Sequence, residues 1–246
     1  MIVVEHVMGM PVLLDVRDGD PSREAIDRVW QWLRWVDATF STFNEDSEIS
    51  RLDRGELALD EAHPEVRGIL AWCERLRDET YGFFDVRAAG GGLDPSGLVK
   101  GWAVDRAAEI LAEAGFVDFA LDAGGDIVLL GRPTPEPRWR VGIQHPYVVD
   151  KIAAVVEGTG LAVATSGEYQ RGRHVFDPHT HAPPSGVLSV TVTGPDLATA
   201  DAYATAAFAM GAEGPAWTAS LPSGFDAMTI TDDDRVLSTA GFPRAA

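Results

Sequence analysis

Three neighbouring segments in the second half of the chain contain side chains that could act together on a phosphate ester. One is residues 164–171, Ala-Thr-Ser-Gly-Glu-Tyr-Gln-Arg, and the next runs from His174 to Pro178. The third, residues 199–205, contains Asp201 and Thr205. Together they supply a histidine, a cation and two hard oxygen ligands four residues apart. This set is suited to binding a divalent metal and a phosphate group.

The pair Asp201 and Thr205 lies in an Ala-rich helical pattern predicted over residues 198–210, so both oxygens project from one face. Mg²⁺ usually has few protein ligands and completes its octahedron with water and substrate phosphate, so an Asp and a hydroxyl suffice. Spacing alone favours a competing interpretation, in which Asp201 caps the helix and Thr205 packs inside it.

His174 is the second candidate, because it stands next to Asp177-Pro178, where a strand is expected to turn. The alternative is a turn histidine that is hydrogen-bonded to its neighbours. His174, His179 and His181 together match no standard zinc spacing, and no second pair of Cys or His completes four ligands. A zinc site is therefore disfavoured.

Glycine-rich segments could bring backbone N–H groups to the same phosphate. Gly90-Gly91-Gly92 leads to a helix predicted over residues 101–114, whose N-terminus is positive. Lys100 at that predicted start is unfavourable for the helix dipole, which indicates a role outside the helix. The order Gly-Lys-Ser/Thr is absent, so this is not a Walker A motif. For Gly9, a β-bulge between two strands is favoured over close approach of its backbone to a ligand. The glycines of residues 122–126 fit an ordinary hairpin turn as well as they fit a phosphate-binding turn.

The remaining patterns predict the elements that must position these residues. Helical periodicity marks a helix from Pro21 to Phe40, with Asp20 or Ser22 as its cap, and another over residues 64–80. The cap and turn formers in residues 40–52 are compatible both with a functional segment and with an ordinary surface connection. Strands are predicted at residues 2–7, 11–16, 116–121, 126–130, 139–144, 152–157, 161–165, 187–193 and 227–230. We therefore expect a single α+β domain over residues 1–246, with mixed β-sheets and packed helices.

Composition narrows the class of protein. The net charge of −18 argues against binding to nucleic acid or to anionic membranes, because both require clustered Lys and Arg. Helical spacing places the single Cys73 in the core, and one cysteine requires no oxidising compartment. The N-terminus has no basic segment followed by a long apolar stretch, so we expect a cytoplasmic protein without membrane insertion.

The order of the motifs is more specific than any one of them. Met-Gly-x-Pro is followed by Phe-Ser-Thr-Phe…Ser-Glu-Ile-Ser, Gly-x-Phe-Asp, Asp-x-x-Gly-x-x-Lys-Gly-Trp-Ala-Val-Asp and Ala-Gly-Gly-Asp. Ala-Thr-Ser-Gly-x-Tyr-x-Arg, His-Val-x-Asp-Pro and Thr-Ala-Asp-Ala-x-Ala-Thr-Ala complete the series. From Met8 to about Gly211 this series resembles the ApbE family, the FAD:protein FMN transferases.

The resemblance implies an Mg²⁺-dependent enzyme that moves the FMN half of FAD onto a Thr or Ser of an acceptor protein with an FMN-binding domain, and releases AMP. Asp201 and Thr205 would bind Mg²⁺ through their side chains, and Gly97 through its carbonyl. His174 would be the base that activates the acceptor hydroxyl. The expected FAD contacts are Met8, Phe43, Phe84, Asp85, Asp94, Lys100 and Val175.

The sequence also departs from the usual family pattern at positions close to the expected flavin contacts. Phe84-Asp85-Val86-Arg87 stands where Phe-Asp-Pro-Thr is usual, Asp122 and Asp53 stand where Asn is usual, and Phe43 stands where Tyr is common. These changes leave the expected metal ligands intact. They motivate one alternative, a protein that binds FAD without catalysis. The other alternative is an FAD pyrophosphatase, which uses water as the acceptor.

Overall fold

A computed structural model of the chain describes residues 1–19, 23–87, 91–148, 150–167 and 175–245. Most of its strands form one long antiparallel sheet, in the order β1-β2-β3-β4-β7-β8-β9-β10, and β5 pairs with β6 in a separate ribbon. The strands are β1 Ile2–Val7, β2 Met10–Val16, β3 Phe119–Ala123, β4 Asp126–Leu130, β5 Trp139–Gln144, β6 Ile152–Gly158, β7 Gly160–Gly167, β8 Val187–Gly194, β9 Asp226–Thr231 and β10 Val236–Ser238.

Helices cover one face of the long sheet, which confirms the α+β fold class. They are α1 Arg23–Phe40, α2 Glu48–Asp53, α3 Pro64–Glu79, α4 Ser96–Glu113, α5 Leu197–Ala209 and α6 Gly214–Thr218, with short 3₁₀ turns at Leu59–Glu61 and Gly211–Glu213. In the ranges that the structure describes, no helix combines the length and apolar character needed to cross a membrane.

Helix α5 lies at the centre of the molecule. It packs on β7 and β8 with one side and against α4 with another, so nearly all of its residues are buried. The β5–β6 ribbon covers the opposite face of the sheet, where Val156, Leu188 and Ile230 form a second apolar cluster. Because both faces of β8 are covered, every residue of that strand is buried. Asp201 on α5 is therefore buried, and Thr205 on the same helix is partly buried.

Helices α1 and α3 match the predicted periodicity, and their buried positions include Val29, Leu33 and Cys73. The proposed caps of α1, Asp20 and Ser22, lie outside the described residues. The Trp residues of α1 belong to helix packing. Trp32 stacks on Trp35 with ring centres 5.1 Å apart, and its ring nitrogen donates a hydrogen bond of 2.9 Å to the carbonyl of Ala103 on α4.

Two local predictions were wrong, those for the start of α4 and for the β1–β2 turn, and the segment of residues 40–52, which the sequence left open, contains a short helix. Helix α4 begins at Ser96, five residues before the predicted start, so Lys100 lies inside the helix and Gly97 in its first turn. Residues 48–53 form helix α2, which Ser47 caps by accepting the N–H of Ser50. Met8 and Gly9 form a two-residue hairpin turn with φ of 57° and 72°, where a β-bulge was expected.

Candidate active site

A cavity of about 790 Å³ opens between the helices and one end of the long sheet. This volume lies in the range of roughly 300–1,000 Å³ that is typical of small-molecule sites. The β1–β2 turn, the end of α1, the segment after α3, the start of α4 and the end of β7 all contribute to its wall. Every predicted site residue that the structure describes lines it: Met8, Phe43, Phe84, Asp85, Asp94, Gly97, Lys100, Val175, Asp201 and Thr205. The predicted base, His174, lies outside the described residues.

The expected metal ligands meet where α4 and α5 cross. Asp201 and Thr205 are one turn apart on α5, and Asp201 is only 3% exposed. The Thr205 hydroxyl lies 3.3 Å from that of Ser166. A Cβ added to Gly97 would lie 3.6 Å from the Thr205 hydroxyl and 3.1 Å from the Phe84 ring. Glycine therefore leaves its own backbone accessible beside the two α5 side chains.

The interpretation that spacing favoured for this pair was wrong. Asp201 does not cap α5, because the cap is Asp196, whose carboxylate accepts the N–H of Thr199 at 2.8 Å. Asp201 lies in the second turn of the helix and faces the cavity. A buried carboxylate in this position is costly unless a cation balances it.

Lys100 supplies one such cation. Its side chain is 17% exposed, and its ammonium contacts Asp126 and lies 3.5 Å from an oxygen of Asp201. The other oxygen of Asp126 accepts the N–H of Thr165 at 2.9 Å. Sequence reasoning did not identify Asp126 as a site residue. Its signals in the sequence were its place after the two glycines of the β3–β4 turn and its membership of the Ala-Gly-Gly-Asp motif. Asp126 joins the start of α4 to the end of β7, so one carboxylate orients two walls of the cavity.

Eleven further residues line the cavity outside the predicted site set. They comprise one carboxylate, four hydroxyl groups, two aromatic rings, one aliphatic side chain and three glycines, and their positions are Asp37, Ser41, Ser96, Thr165, Ser166, Phe83, Phe176, Val86, Gly9, Gly124 and Gly167. The carboxylates that line the cavity, at Asp37, Asp85, Asp94 and Asp201, outnumber the single lining cation Lys100 among the residues that the structure describes. An anionic ligand would therefore need an added cation to enter.

The turn after Val175 connects two walls of the cavity. Asp177 closes this turn by accepting the N–H of His179 and the hydroxyl of Thr180, both at 2.8 Å. The His179 ring packs edge-on against Phe83 with centres 4.6 Å apart, and its Nε2 lies 3.1 Å from the carbonyl oxygen of Tyr81. His179 is therefore engaged in packing. In the described part of the chain, no group of three or more His, Cys, Asp or Glu is arranged to bind a metal.

Asp53 and Arg87, two residues that differ from the usual family pattern, form an ion pair with each other. One oxygen of Asp53 lies 3.1 Å from the Arg87 guanidinium and accepts the N–H of Leu93 at 2.9 Å. The N–H of Asp94 donates to the carbonyl of Val86 at 2.7 Å, which closes the same loop at its base. Asp53 thus anchors, from α2, the loop that carries Asp94. Any residue with an acceptor oxygen could make the contact to Leu93.

This geometry predicts a graded response at position 53. Because the resemblance predicts FAD binding, we expect Asp53→Asn, which retains an acceptor for Leu93, to bind FAD within about two-fold of the unaltered chain. Asp53→Leu leaves that N–H without its acceptor and releases Arg87, so we expect FAD affinity to fall about five-fold, equivalent to about 1 kcal/mol. Titration of FAD fluorescence at one fixed Mg²⁺ concentration measures both variants. Equal affinity in Asp53→Leu would show that the loop needs no anchor.

Asp122 likewise accepts a hydrogen bond that an Asn side chain could also accept. The side chain is half-buried in the β3–β4 turn, and its oxygen accepts the N–H of Gly125 at 2.8 Å. Burial raises the pKa of Asp122 and the nearby Asp126 adds to this, while the Gly125 N–H opposes it. A carboxyl with a raised pKa in the folded state makes folding less favourable as the pH rises through that pKa.

We therefore expect Asp122→Asn to be more stable than the unaltered chain at pH 7, by less than about 1 kcal/mol because the site is half-exposed. The difference should shrink as the pH falls towards the ordinary pKa of Asp, about 3.9, because the carboxyl is then increasingly protonated in both the folded and the unfolded state. Urea unfolding at pH 4, 5, 6 and 7 measures this trend. A stability difference that does not change with pH would contradict it.

Comparison of the chain with known proteins shows which family it belongs to. The model of the ApbE family matches residues 8–91 and 87–229, which is most of the chain. The chain belongs to the ApbE family. Among solved structures, it is similar to the flavin transferase ApbE from Vibrio cholerae, with a TM-score of 0.86 and 24% identity over 98% of this chain and 97% of that one. The ApbE protein of Thermotoga maritima superposes with a TM-score of 0.84, at 20% identity and with coverage of 100% and 99%. These two likenesses show the ApbE fold.

Curated ApbE relatives are similar to part of the chain. The FAD:protein FMN transferase of Rhodobacter capsulatus is 34% identical over 184 residues, which are 71% of this chain and 35% of that protein. The FAD:protein FMN transferase of Treponema pallidum is 33% identical over 171 residues, 62% of this chain and 47% of that protein. The chain thus spans between about a third and half of the length of these relatives.

Proposed function

We propose that this chain is an Mg²⁺-dependent FAD:protein FMN transferase. It would attach FMN through a phosphoester bond to a Thr or Ser of an acceptor protein with an FMN-binding domain, and release AMP. One observation carries the proposal: in a member of the ApbE family, Gly97, Asp201 and Thr205 converge at the wall of a cavity large enough for a small-molecule cofactor. The residues that line this one cavity are spread along the chain from Met8 to Thr205, which also supports a single domain over residues 1–246.

The donor set fits Mg²⁺ in its chemistry. A carboxylate, a hydroxyl and a main-chain carbonyl are hard oxygen ligands, and a short protein set leaves positions for water and substrate phosphate. Asp201, Thr205 and Gly97 would provide them. When bound, Mg²⁺ would neutralise pyrophosphate charge and polarise the phosphorus that is attacked. The acidic lining of the cavity also supports a bound Mg²⁺. Without it, the negative charge of a pyrophosphate would be repelled by several carboxylates and attracted by only one lysine.

The remaining wall is suited to binding a flavin nucleotide. Phe84 is 3% exposed and presents a fixed aromatic surface beside Gly97, whereas Phe43 is 98% exposed at the cavity rim. An exposed aromatic ring at a rim can stack on a planar ligand. Met8, with φ of 57° in its turn, and Val175 complete the apolar lining. Asp85 and Asp94 would accept hydrogen bonds from donors on the ligand, and Lys100 would approach its phosphates.

In the proposed reaction, the acceptor hydroxyl oxygen forms a bond to the phosphorus on the flavin side of the pyrophosphate. The bond from that phosphorus to the bridging oxygen breaks, and AMP leaves with the bridging oxygen. The hydroxyl proton goes to a base, for which we propose His174. Most of the catalysis would come from positioning the reactants and stabilising charge.

AMP release separates this proposal from its two alternatives. The protein is incubated with FAD and Mg²⁺, with and without an acceptor carrying an FMN-binding domain. A transferase yields AMP that depends on the acceptor, together with flavin fluorescence that remains on the denatured acceptor. An FAD pyrophosphatase yields AMP and free FMN without acceptor. A protein that only binds FAD yields no AMP under either condition, and this result would refute catalysis.

A further inference from the structure

One carboxylate of the Lys-Gly-Trp-Ala-Val-Asp motif lies away from the cavity and joins two helices. Asp105 on α4 is half-buried, and its two oxygens accept the N–H groups of Leu197 and Ala198 at 2.9 Å and 2.8 Å. Leu197 and Ala198 are the first residues of α5, where N–H groups have no partner within the helix. Asp105 therefore caps α5 from a different helix.

Gly101, one turn before Asp105, allows the two helices to touch at the same place. A Cβ added to Gly101 would lie 2.5 Å from the carbonyl oxygen of Leu197 and 2.7 Å from the Cα of Ala198. Both of these are backbone atoms, which cannot move aside as a flexible side chain can. The backbones of α4 and α5 are thus in direct contact, and Asp105 bonds them together there.

The proposed metal ligands follow the same two helix faces. Gly97, Gly101 and Asp105 recur every four residues on α4, and Leu197, Asp201 and Thr205 recur every four residues on α5. The two rows run antiparallel. Asp105 meets Leu197 at one end, and Gly97 lies beside Thr205 at the other. The contact at Asp105 and the proposed metal site are therefore two ends of one helix pair.

We infer that Asp105 is a positioning residue of the metal site: by bonding α5 to α4, it sets the distance between Gly97 on one helix and Asp201 and Thr205 on the other. The inference rests on the proposed function, because it requires a metal at these ligands. A shift of one helix along the other would separate a carbonyl ligand from two side-chain ligands. Residues that orient metal ligands typically change affinity by about 10–100-fold when they are removed.

The placement of this carboxylate is costly, which supports a role beyond ordinary capping. Burial raises the pKa of Asp105 to about 7, even though two N–H donors act to lower it. Helix α5 also has its own cap, because Asp196 accepts the N–H of Thr199. Asp196 provides a matched control, since it caps the same helix with the same type of side chain but forms no hydrogen bond with α4 among the described residues.

The test compares Mn²⁺ affinity in Asp105→Ala, Asp105→Asn and Asp196→Ala. Each variant of residues 1–246 is titrated with Mn²⁺ and followed by electron paramagnetic resonance. An FAD analogue with a methylene group in place of the bridging pyrophosphate oxygen is present, so that no turnover consumes the ligand. We expect the Mn²⁺ dissociation constant to rise about ten-fold or more in Asp105→Ala and by less than about three-fold in Asp196→Ala. Asp105→Asn, which retains one acceptor, should fall between them.

Equal effects of Asp105→Ala and Asp196→Ala on Mn²⁺ affinity would overturn the inference, because Asp105 would then be an ordinary cap. If Asp105→Ala does not fold, the comparison of Asp105→Asn with Asp196→Ala decides in the same way. Failure of the unaltered protein to bind Mn²⁺ would refute the metal-dependent function itself, and with it this inference. Saturating Mn²⁺ should restore the transfer rate of Asp105→Asn, as expected for a residue that positions ligands.

Discussion

Replacement of Asp201 by Asn should lower the rate of FMN transfer about a thousand-fold, equivalent to about 4 kcal/mol of transition-state stabilisation. Asp201 is the only carboxylate in the proposed ligand set, and it is 3% exposed, so bulk solvent cannot replace it. An amide has no charge to balance Mg²⁺ and binds it weakly. The measurement is the initial rate of AMP release in the presence of acceptor, over a range of Mg²⁺ concentrations.

Asp196→Asn is the matched control for Asp201→Asn. It lies on the same helix and makes the same chemical change, and Asn caps a helix as well as Asp does. We expect its transfer rate to stay within about two-fold of that of the unaltered chain. Asp201→Asn that transfers FMN within about ten-fold of the unaltered rate, with the same Mg²⁺ dependence, would show that the metal is bound elsewhere.

Replacement of Lys100 by Met should lower the free energy of unfolding by about 3–5 kcal/mol in EDTA. The Lys100 ammonium contacts Asp126 and lies near Asp201, and these carboxylates are 2% and 3% exposed. Without the ammonium, two nearby carboxylates remain in a poorly solvated interior, which is unfavourable unless one becomes protonated. Urea unfolding at pH 7 measures the loss.

The double variant Lys100→Met/Asp126→Asn tests the reason for that loss. Removal of the charge on Asp126 should restore about half or more of the stability, because one of the two buried carboxylates is then neutral. Mg²⁺ should also stabilise the single variant Lys100→Met more than the unaltered chain. In that variant the Asp201 carboxylate no longer has the Lys100 ammonium beside it, so a bound Mg²⁺ would supply the missing positive charge. Lys100→Met that unfolds within about 1 kcal/mol of the unaltered chain would contradict the account of a buried charge cluster.

Helices and strands could be predicted from the sequence where their apolar residues recur at a regular spacing within one short segment. Helices α1 and α3 were located because their apolar residues recur at three and four residues. The start of α4 was missed because Gly97 and Gly101 are poor helix formers. The reason for these glycines is tertiary: Gly101 contacts the backbone of α5, and Gly97 lies against Thr205. No local pattern reports a contact between residues about 100 positions apart.

Within the site, spacing found the pair Asp201 and Thr205 but misjudged which residue caps their helix. A cap depends on where a helix begins, and sequence locates helix ends poorly. Asp126 belongs to the Ala-Gly-Gly-Asp motif, but its contact with Lys100 could not be predicted because it depends on how β4 is placed against α4. The sequence flagged Asp53 and Arg87 as separate departures from the family pattern. Only the folded chain reveals them as an ion pair 3.1 Å apart.

The most direct test of the central claim is the mass of the acceptor protein after reaction. A protein with an FMN-binding domain is incubated with the chain, FAD and Mg²⁺, and its intact mass is measured. Our account predicts a gain of one FMN less one water, located on a Thr or Ser, and no gain when that residue is replaced by Val or Ala. An unmodified acceptor in a reaction that has consumed FAD would contradict the transferase and indicate that water is the acceptor.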